Sequence, residues 1–254
     1  MLVVLVVSVL KWLISSDIVS GLTLGGAAFI TWALAREVDP AHDYSAFVAV
    51  TFAVILLLAN HGIQFLPLFW ILLMCRAVSG ITSKKLAWLD FLTLIALTLS
   101  LALNQENSIY WLISLLAMVF IWQLGDKSKW VIISGVIYTG IFVYQSLFMN
   151  GLSFIWFSDF SPLNYVSVIL PLLLIPLFRL VSKVSVQDDQ GNPADQNNFF
   201  ASQLLFLIFI VLSVLFSPMV LGNEFISLSV IVGVANYYIS KNYFPRPTND
   251  LEQK

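Results

Sequence analysis

The sequence is short of charge, and that shortage limits what the chain can be. Of 254 residues only 10% are Asp, Glu, Lys or Arg, against roughly 25% in an ordinary soluble domain. So few charges cannot cover a water-exposed surface. Cysteine occurs once, at Cys75 inside an apolar run, which excludes an intrachain disulfide and assigns the thiol to packing. The only histidines are His42 and His61, too few to supply the three or four ligands of a zinc site; a haem reading is rejected with it. The net charge is -2 and no run of five basic residues exists, so nucleic acid is excluded as a partner. Glycine-rich phosphate loops, serine elbows and H-E-x-x-H are absent as well. The opening "MLVVLVVSVLKWLISS" lacks a basic n-region and an A-x-A site, so it reads as a retained first helix rather than a cleaved signal.

What the sequence does have is apolar length. It is 59% hydrophobic and 14% aromatic, with a mean hydropathy of +0.92. Apolar runs of about 18 residues recur from end to end, and each can cross a bilayer core of about 30 Å as a helix. The ten-residue alternation of a β-barrel is missing. The fold class is therefore read as all-α: a polytopic helical transmembrane protein, one membrane domain over residues 1–254, with membrane lipids as its surroundings. Ten spans are expected, at roughly 1–16, 17–35, 44–60, 65–78, 86–103, 108–124, 130–149, 163–180, 199–217 and 222–240. The first and fourth are short. Pro67 suits the first turn of a helix, but 65–78 could instead be re-entrant, and nine spans would then remain.

Basic residues give a second line of argument. If the C-terminus is cytoplasmic, ten spans place Arg36, Arg76, Lys84, Lys85, Lys127, Lys129, Arg179, Lys183, Lys241, Arg246 and Lys254 on the inside. Only Lys11 falls near the outside, where Asp17, Glu106, Asp159 and Glu224 lie. Losing one span destroys this segregation, so it favours ten spans with both termini cytoplasmic. Short loops and the charge bias fit a bacterial or archaeal plasma membrane. The longest inside connection is the polar loop 182–198, and a polar tail covers 241–254. The outside stretch 150–162 carries Phe154, Trp156, Phe157 and Phe160, aromatics suited to the headgroup layer. The two halves show no internal similarity of the kind inverted-repeat transporters use.

Within the spans, Gly21 and Gly25 are spaced i, i+4, which allows close helix contact inside the subunit or across a homodimer. Pro171 and Pro176 in "PLLLIP" each remove a backbone donor and predict a kink. With Asn236 they are the candidates for a midplane substrate cavity. Gln123 and Gln145 are read as interhelical hydrogen-bonding amides. Asp90, in "KKLAWLDFLTL", is the one acid inside an apolar run. It is either an ion-pair or helix-dipole residue or a functional acid.

The densest polar stretch is "REVDPAHDY", Arg36 to Tyr44. Two readings compete. In one, Pro40 stops a helix, Asp43 caps the next, Arg36 obeys the charge rule and Tyr44 anchors at the interface. In the other, Glu37, Asp39 and Asp43 are Mg²⁺ ligands, since that ion takes one or two carboxylates plus substrate phosphates; these three and Asp90 would then be catalytic. A second acidic loop, with Asp188, Asp189 and Asp195, lies on the same face. This pair of acidic cytoplasmic loops resembles that of the UbiA-type membrane prenyltransferases, and the resemblance implies a prenyl diphosphate held through Mg²⁺. That family's N-D-x-x-D-x-x-x-D pattern is in neither loop, and the helix count differs, so the chain is not placed there. His61 falls on the opposite face and cannot join His42 in a metal site.

Three functions follow. The leading one is a transporter or permease-like protein for a small molecule or lipid, needing no cofactor. The alternatives are a non-catalytic assembly or scaffold protein, docking through faces such as Gly21 and Gly25, and a membrane-embedded enzyme acting on a lipid phosphate or prenyl substrate with Mg²⁺. Enzymatic activity is the less favoured class.

Overall fold

The computed structural model describes residues 2–59, 61–81, 86–148, 152, 154–156, 159–183, 194–217 and 219–243. Ten helices follow one another: α1 Leu2–Ser15, α2 Ile18–Val38, α3 Asp43–Leu57, α4 Phe65–Ser79, α5 Trp88–Asn104, α6 Ile109–Gln123, α7 Lys129–Phe148, α8 Pro162–Val181, α9 Gln196–Phe216 and α10 Leu221–Tyr243. No strand occurs among the described residues. Most of the polar loop 182–198 and of the tail 241–254 lies outside them, as do Lys84, Lys85, Phe157, Asp188, Asp189, Arg246 and Lys254.

Local chemistry explains the boundaries. Asp17 caps α2, accepting from the N–H groups of Val19 and Ser20 at 3.0 Å each and from the Ser20 hydroxyl at 2.6 Å. α2 stops at Val38 because Pro40 cannot supply the next N–H and restricts the residue before it. α4 ends on Gly80 at φ +64°, a left-handed cap that glycine takes without Cβ strain. α8 opens with Pro162 at its first turn, after Ser161, and runs on as one helix through Pro171 and Pro176.

The Asp17 bonds, the Ser20 hydroxyl foremost, hold its carboxyl below the ordinary value of 3.8. A depressed folded-state pKa means that the cap contributes fully above that ordinary value and is lost as pH falls through the lower folded one. Protection of the Val19 and Ser20 amides from exchange should therefore fall as the solution is acidified below pH 3.8. In Asp17→Asn the same protection should not change with pH. Equal pH profiles in the two proteins would show that the cap is not ionic.

Four helices, α2, α7, α8 and α9, are long and apolar enough to cross a membrane. α3, α4 and α6 have 15 residues each, about 22 Å at 1.5 Å per residue, less than a bilayer core of about 30 Å. Cross-helix bonds fix the direction of the chain through the bundle. At one end Ser79 donates to Glu37, Gln203 to the Val38 carbonyl and Lys241 to His42. At the other end Lys11 donates to the Leu58 carbonyl, Asn223 and Gln64 bond reciprocally, Gln105 donates to Gln64 and Asn107 to the Phe216 carbonyl. α4 thus starts at the second end and finishes at the first, passing through the whole bundle rather than turning back.

α4 is also the centre of the core. Trp70, Ile71, Met74 and Cys75 are fully buried. Trp70 packs edge-on against Tyr110 of α6 and Phe209 of α9, with ring centroids 5.4 and 6.1 Å away. Of the four long helices α9 is interior, 61% of its apolar window being buried, whereas α7 and α8, at 22%, are peripheral. The outward faces of α1, α7 and α8 are apolar, with Leu13, Ile14, Val136, Leu147, Leu172 and Leu173 exposed.

Two residues at the second end differ from expectation. Lys11, the exception to the charge segregation, is only 7% exposed; its ammonium caps the C-terminal end of α3 at Leu58, 3.0 Å away, where helix carbonyls lack intrahelical partners. Glu224, expected in an outer connection, lies in the first turn of α10 and is 4% exposed. Among the described residues no group donates to its Oε1.

Candidate functional site

The turn between α2 and α3 is four residues, Asp39 to His42. Its tightness puts the end of α2 beside the start of α3. Asp39 is the C-cap of α2, its N–H donating to the Ala35 carbonyl at 2.8 Å. Its carboxylate, 2% exposed, lies 2.9 Å from His42 Nδ1. On the other side of the ring Lys241 Nζ is 3.0 Å from Nε2. An ammonium can only donate, so Nε2 accepts and is unprotonated. Nδ1 then carries the proton and donates to Asp39. The imidazole thus links a buried carboxylate to a lysine from the last turn of α10. Tyr237 of α10 packs on the same ring at 4.9 Å and stacks on Tyr44 at 6.3 Å. Ser45 donates to the His42 carbonyl at 2.7 Å. Both imidazole nitrogens are engaged, so His42 has none to offer a substrate proton; the trio fastens α10 to the α2–α3 turn.

The candidate carboxylates have separate partners. Glu37 accepts from the Ser79 hydroxyl at 2.7 Å. Asp43 is the first residue of α3, and its carboxylate reaches back to the Arg36 guanidinium instead of serving as the N-cap; that position belongs to His42. Asp90, in the first turn of α5, accepts from the Ala87 N–H at 2.7 Å and so caps its own helix. Asp195 is the N-cap of α9 and accepts from the Asn197 N–H. Among the described residues no three of His, Cys, Asp and Glu are grouped to hold a metal ion. Glu37, Asp39 and Asp43 are neighbours in sequence whose carboxylates are held by different partners, on α4, in the turn and on α2.

Pro171 is buried, but Pro176 and Asn236 are exposed, so the three do not converge on an interior cavity. Asn236 accepts from Ser240, one turn on, at 3.1 Å. Gly21 and Gly25 are used inside the chain: a Cβ on Gly21 would meet the Ser8 carbonyl oxygen of α1 at 2.7 Å, and one on Gly25 would meet Ser8 Oγ at 1.8 Å. α1 packs on the face that these two glycines form. His61 is at the far end of the bundle, edge-on to Phe225 at 5.1 Å.

A crevice of about 290 Å³ lies between α1, α2 and α3. Val3, Val4, Ala28, Phe29, Trp32, Phe47 and Val50 form its apolar walls, and Arg36 with Asp43 forms its polar part. Phe29, Trp32 and Phe47 are partly open to the exterior. Compared with known protein families, curated proteins and solved structures, the chain matches none. Two other spaces are less specific. A groove of about 610 Å³ between α6 and α7 is lined by apolar residues with Gln123 and Thr139 and has no charged group. A cavity of about 10 Å³ beside Gln64, Gln105 and Asn223 has room for about one water. The crevice was not legible in advance because its wall residues come from three helices. Each looks in sequence like an ordinary apolar position. The only signal was that Arg36 and Asp43, seven residues apart, flank a proline turn.

Proposed function

We propose that this chain is a multi-pass membrane protein of permease-like type, with ten spans and cytoplasmic termini, that takes an amphiphilic lipid from the cytoplasmic leaflet of a plasma membrane. The observation that carries this reading is the crevice: apolar aromatic walls open to the side, with one ion pair where the helices end. A lipid needs that combination, an apolar path for its tail and fixed charge for its head. The apolar exteriors of α1, α7 and α8 support a bilayer setting, since soluble monomers rarely expose contiguous apolar patches beyond a few hundred Å². Arg36, Arg76, Lys127, Lys129, Arg179 and Lys183 at one end of the bundle support its orientation. The packing of Gly21 and Gly25 on α1 and the separate partners of Glu37, Asp39 and Asp43 favour the permease reading over the assembly and enzyme readings.

Purified protein in sealed vesicles is expected to speed the transbilayer movement of a fluorescent phospholipid above that of protein-free vesicles. Phe47→Ser, on an exposed wall, should slow it several-fold without unfolding the chain. Vesicles carrying wild-type protein that move lipid no faster than empty ones would remove the permease reading.

A further inference from the structure

We propose that the crevice selects an aminophospholipid, the lipid phosphate resting on the Arg36 guanidinium and its primary ammonium on the Asp43 carboxylate. This rests on the reading that the crevice takes an amphiphile, and adds the class of headgroup.

The polar part of the site holds one charge of each sign side by side. The Arg36 side chain is 31% exposed and that of Asp43 74%, so both can be approached by a headgroup without leaving water first. Their mutual contact does not exhaust them. A guanidinium has five N–H donors, and Nη1 is the one that meets Asp43; the remaining fork suits two phosphate oxygens. A carboxylate has about four lone-pair sites, which leaves acceptors for an ammonium. A zwitterionic headgroup with phosphate and a primary amine mirrors the pair, and each charge finds its opposite without breaking the existing contact. An anionic headgroup lacking an amine would set a negative charge near Asp43 with nothing to offer it. A choline headgroup has positive charge but no N–H to donate.

The apolar walls agree in size. From Arg36 back to Ala28 is eight residues of α2, about 12 Å at 1.5 Å per residue, and this stretch is flanked by Phe29, Trp32, Phe47 and Val50. A volume of about 290 Å³ is at the lower end of the roughly 300–1,000 Å³ usual for ligand pockets. It accommodates the upper part of one chain, the rest of the lipid remaining in the bilayer. Lys241 does not compete for the phosphate, since its ammonium is directed at His42.

Trp32 in the wall provides the readout. Full-length protein is reconstituted in phosphatidylcholine vesicles containing increasing fractions of a brominated-acyl lipid with an ethanolamine, glycerol or choline headgroup. The Trp32 part of the fluorescence quenching is the difference between wild type and Trp32→Phe. With the ethanolamine lipid this part should saturate at low mole fraction, about tenfold below either other lipid, the size of one charge-assisted hydrogen bond. Asp43→Asn should abolish the preference, and Arg36→Gln should weaken binding of all three lipids. Saturable quenching that is equal for the three headgroups would overturn the selectivity and leave the amphiphile reading standing. Quenching that only rises in proportion to mole fraction, for every lipid, would remove both. The headgroup comparison between wild type and Trp32→Phe decides this even if Asp43→Asn or Arg36→Gln does not fold.

Discussion

Gly233→Val is expected to destabilise the protein by about 3 kcal/mol, at the upper end of the usual cost of overpacking. A Cβ at Gly233 would lie 2.7 Å from the N, Cα and Cβ of Ala49. Two of those atoms are backbone, and the third is fixed to it, so no side-chain rotation relieves the clash. α10 and α3 must move apart instead. Such a shift would also disturb Ala46 and Ala53, which are fully buried on α3, and pull Lys241 and Tyr237 from the His42 ring. Thermal unfolding in detergent checks this, with Gly135→Val as the comparison: nothing lies within 4 Å of a Cβ at Gly135. If the two variants unfold together, the close approach of α3 and α10 is not a determinant of stability.

Trp70→Ala is expected to cost about 3–5 kcal/mol, the range for removing a large buried aromatic. Trp70 is fully buried and supports a polar chain as well as packing. Its Nε1–H donates to Thr98 Oγ1 at 2.9 Å. The Thr98 hydroxyl proton goes to the Leu94 carbonyl at 2.7 Å, so Ser114, 2.9 Å away, is the donor to Thr98. Three helices, α4, α5 and α6, meet at that one oxygen. Trp70→Phe keeps a six-membered ring but loses the N–H and the rest of the indole, and should cost less, about 2 kcal/mol. Equilibrium unfolding of both variants separates the terms. Equal losses would mean that the Nε1–H with the part of the indole that Phe lacks, not the whole aromatic volume, is what α4 supplies.

Helix positions were legible in sequence because local quantities set them. The length of an apolar run, Asp17 before α2, Pro40 after it and Pro162 opening α8 each act within a few residues. The alternating direction of ten helices was legible too, through basic residues at one set of ends. Side-chain partners were not. Gln203 and Val38, or Gln64 and Asn223, are more than 150 residues apart, and nothing near either partner announces the other. The same limit applies to the acids. Glu37, Asp39 and Asp43 are close along the chain, which suggested a shared ligand. A helix end and a tight turn splay them toward Ser79, His42 and Arg36.

The sequence by itself determined ten apolar helices, their ends and their alternation, because hydrophobic length and capping are short-range effects. Tertiary structure alone decided which small residues meet. It gave Gly21 and Gly25 to α1 and Gly233 to α3, since contact between helices depends on the rotation of each about its axis, which an all-round apolar helix does not encode. For the same reason only the fold could place Phe29, Trp32 and Phe47 around one space and set the Arg36–Asp43 pair in its lining.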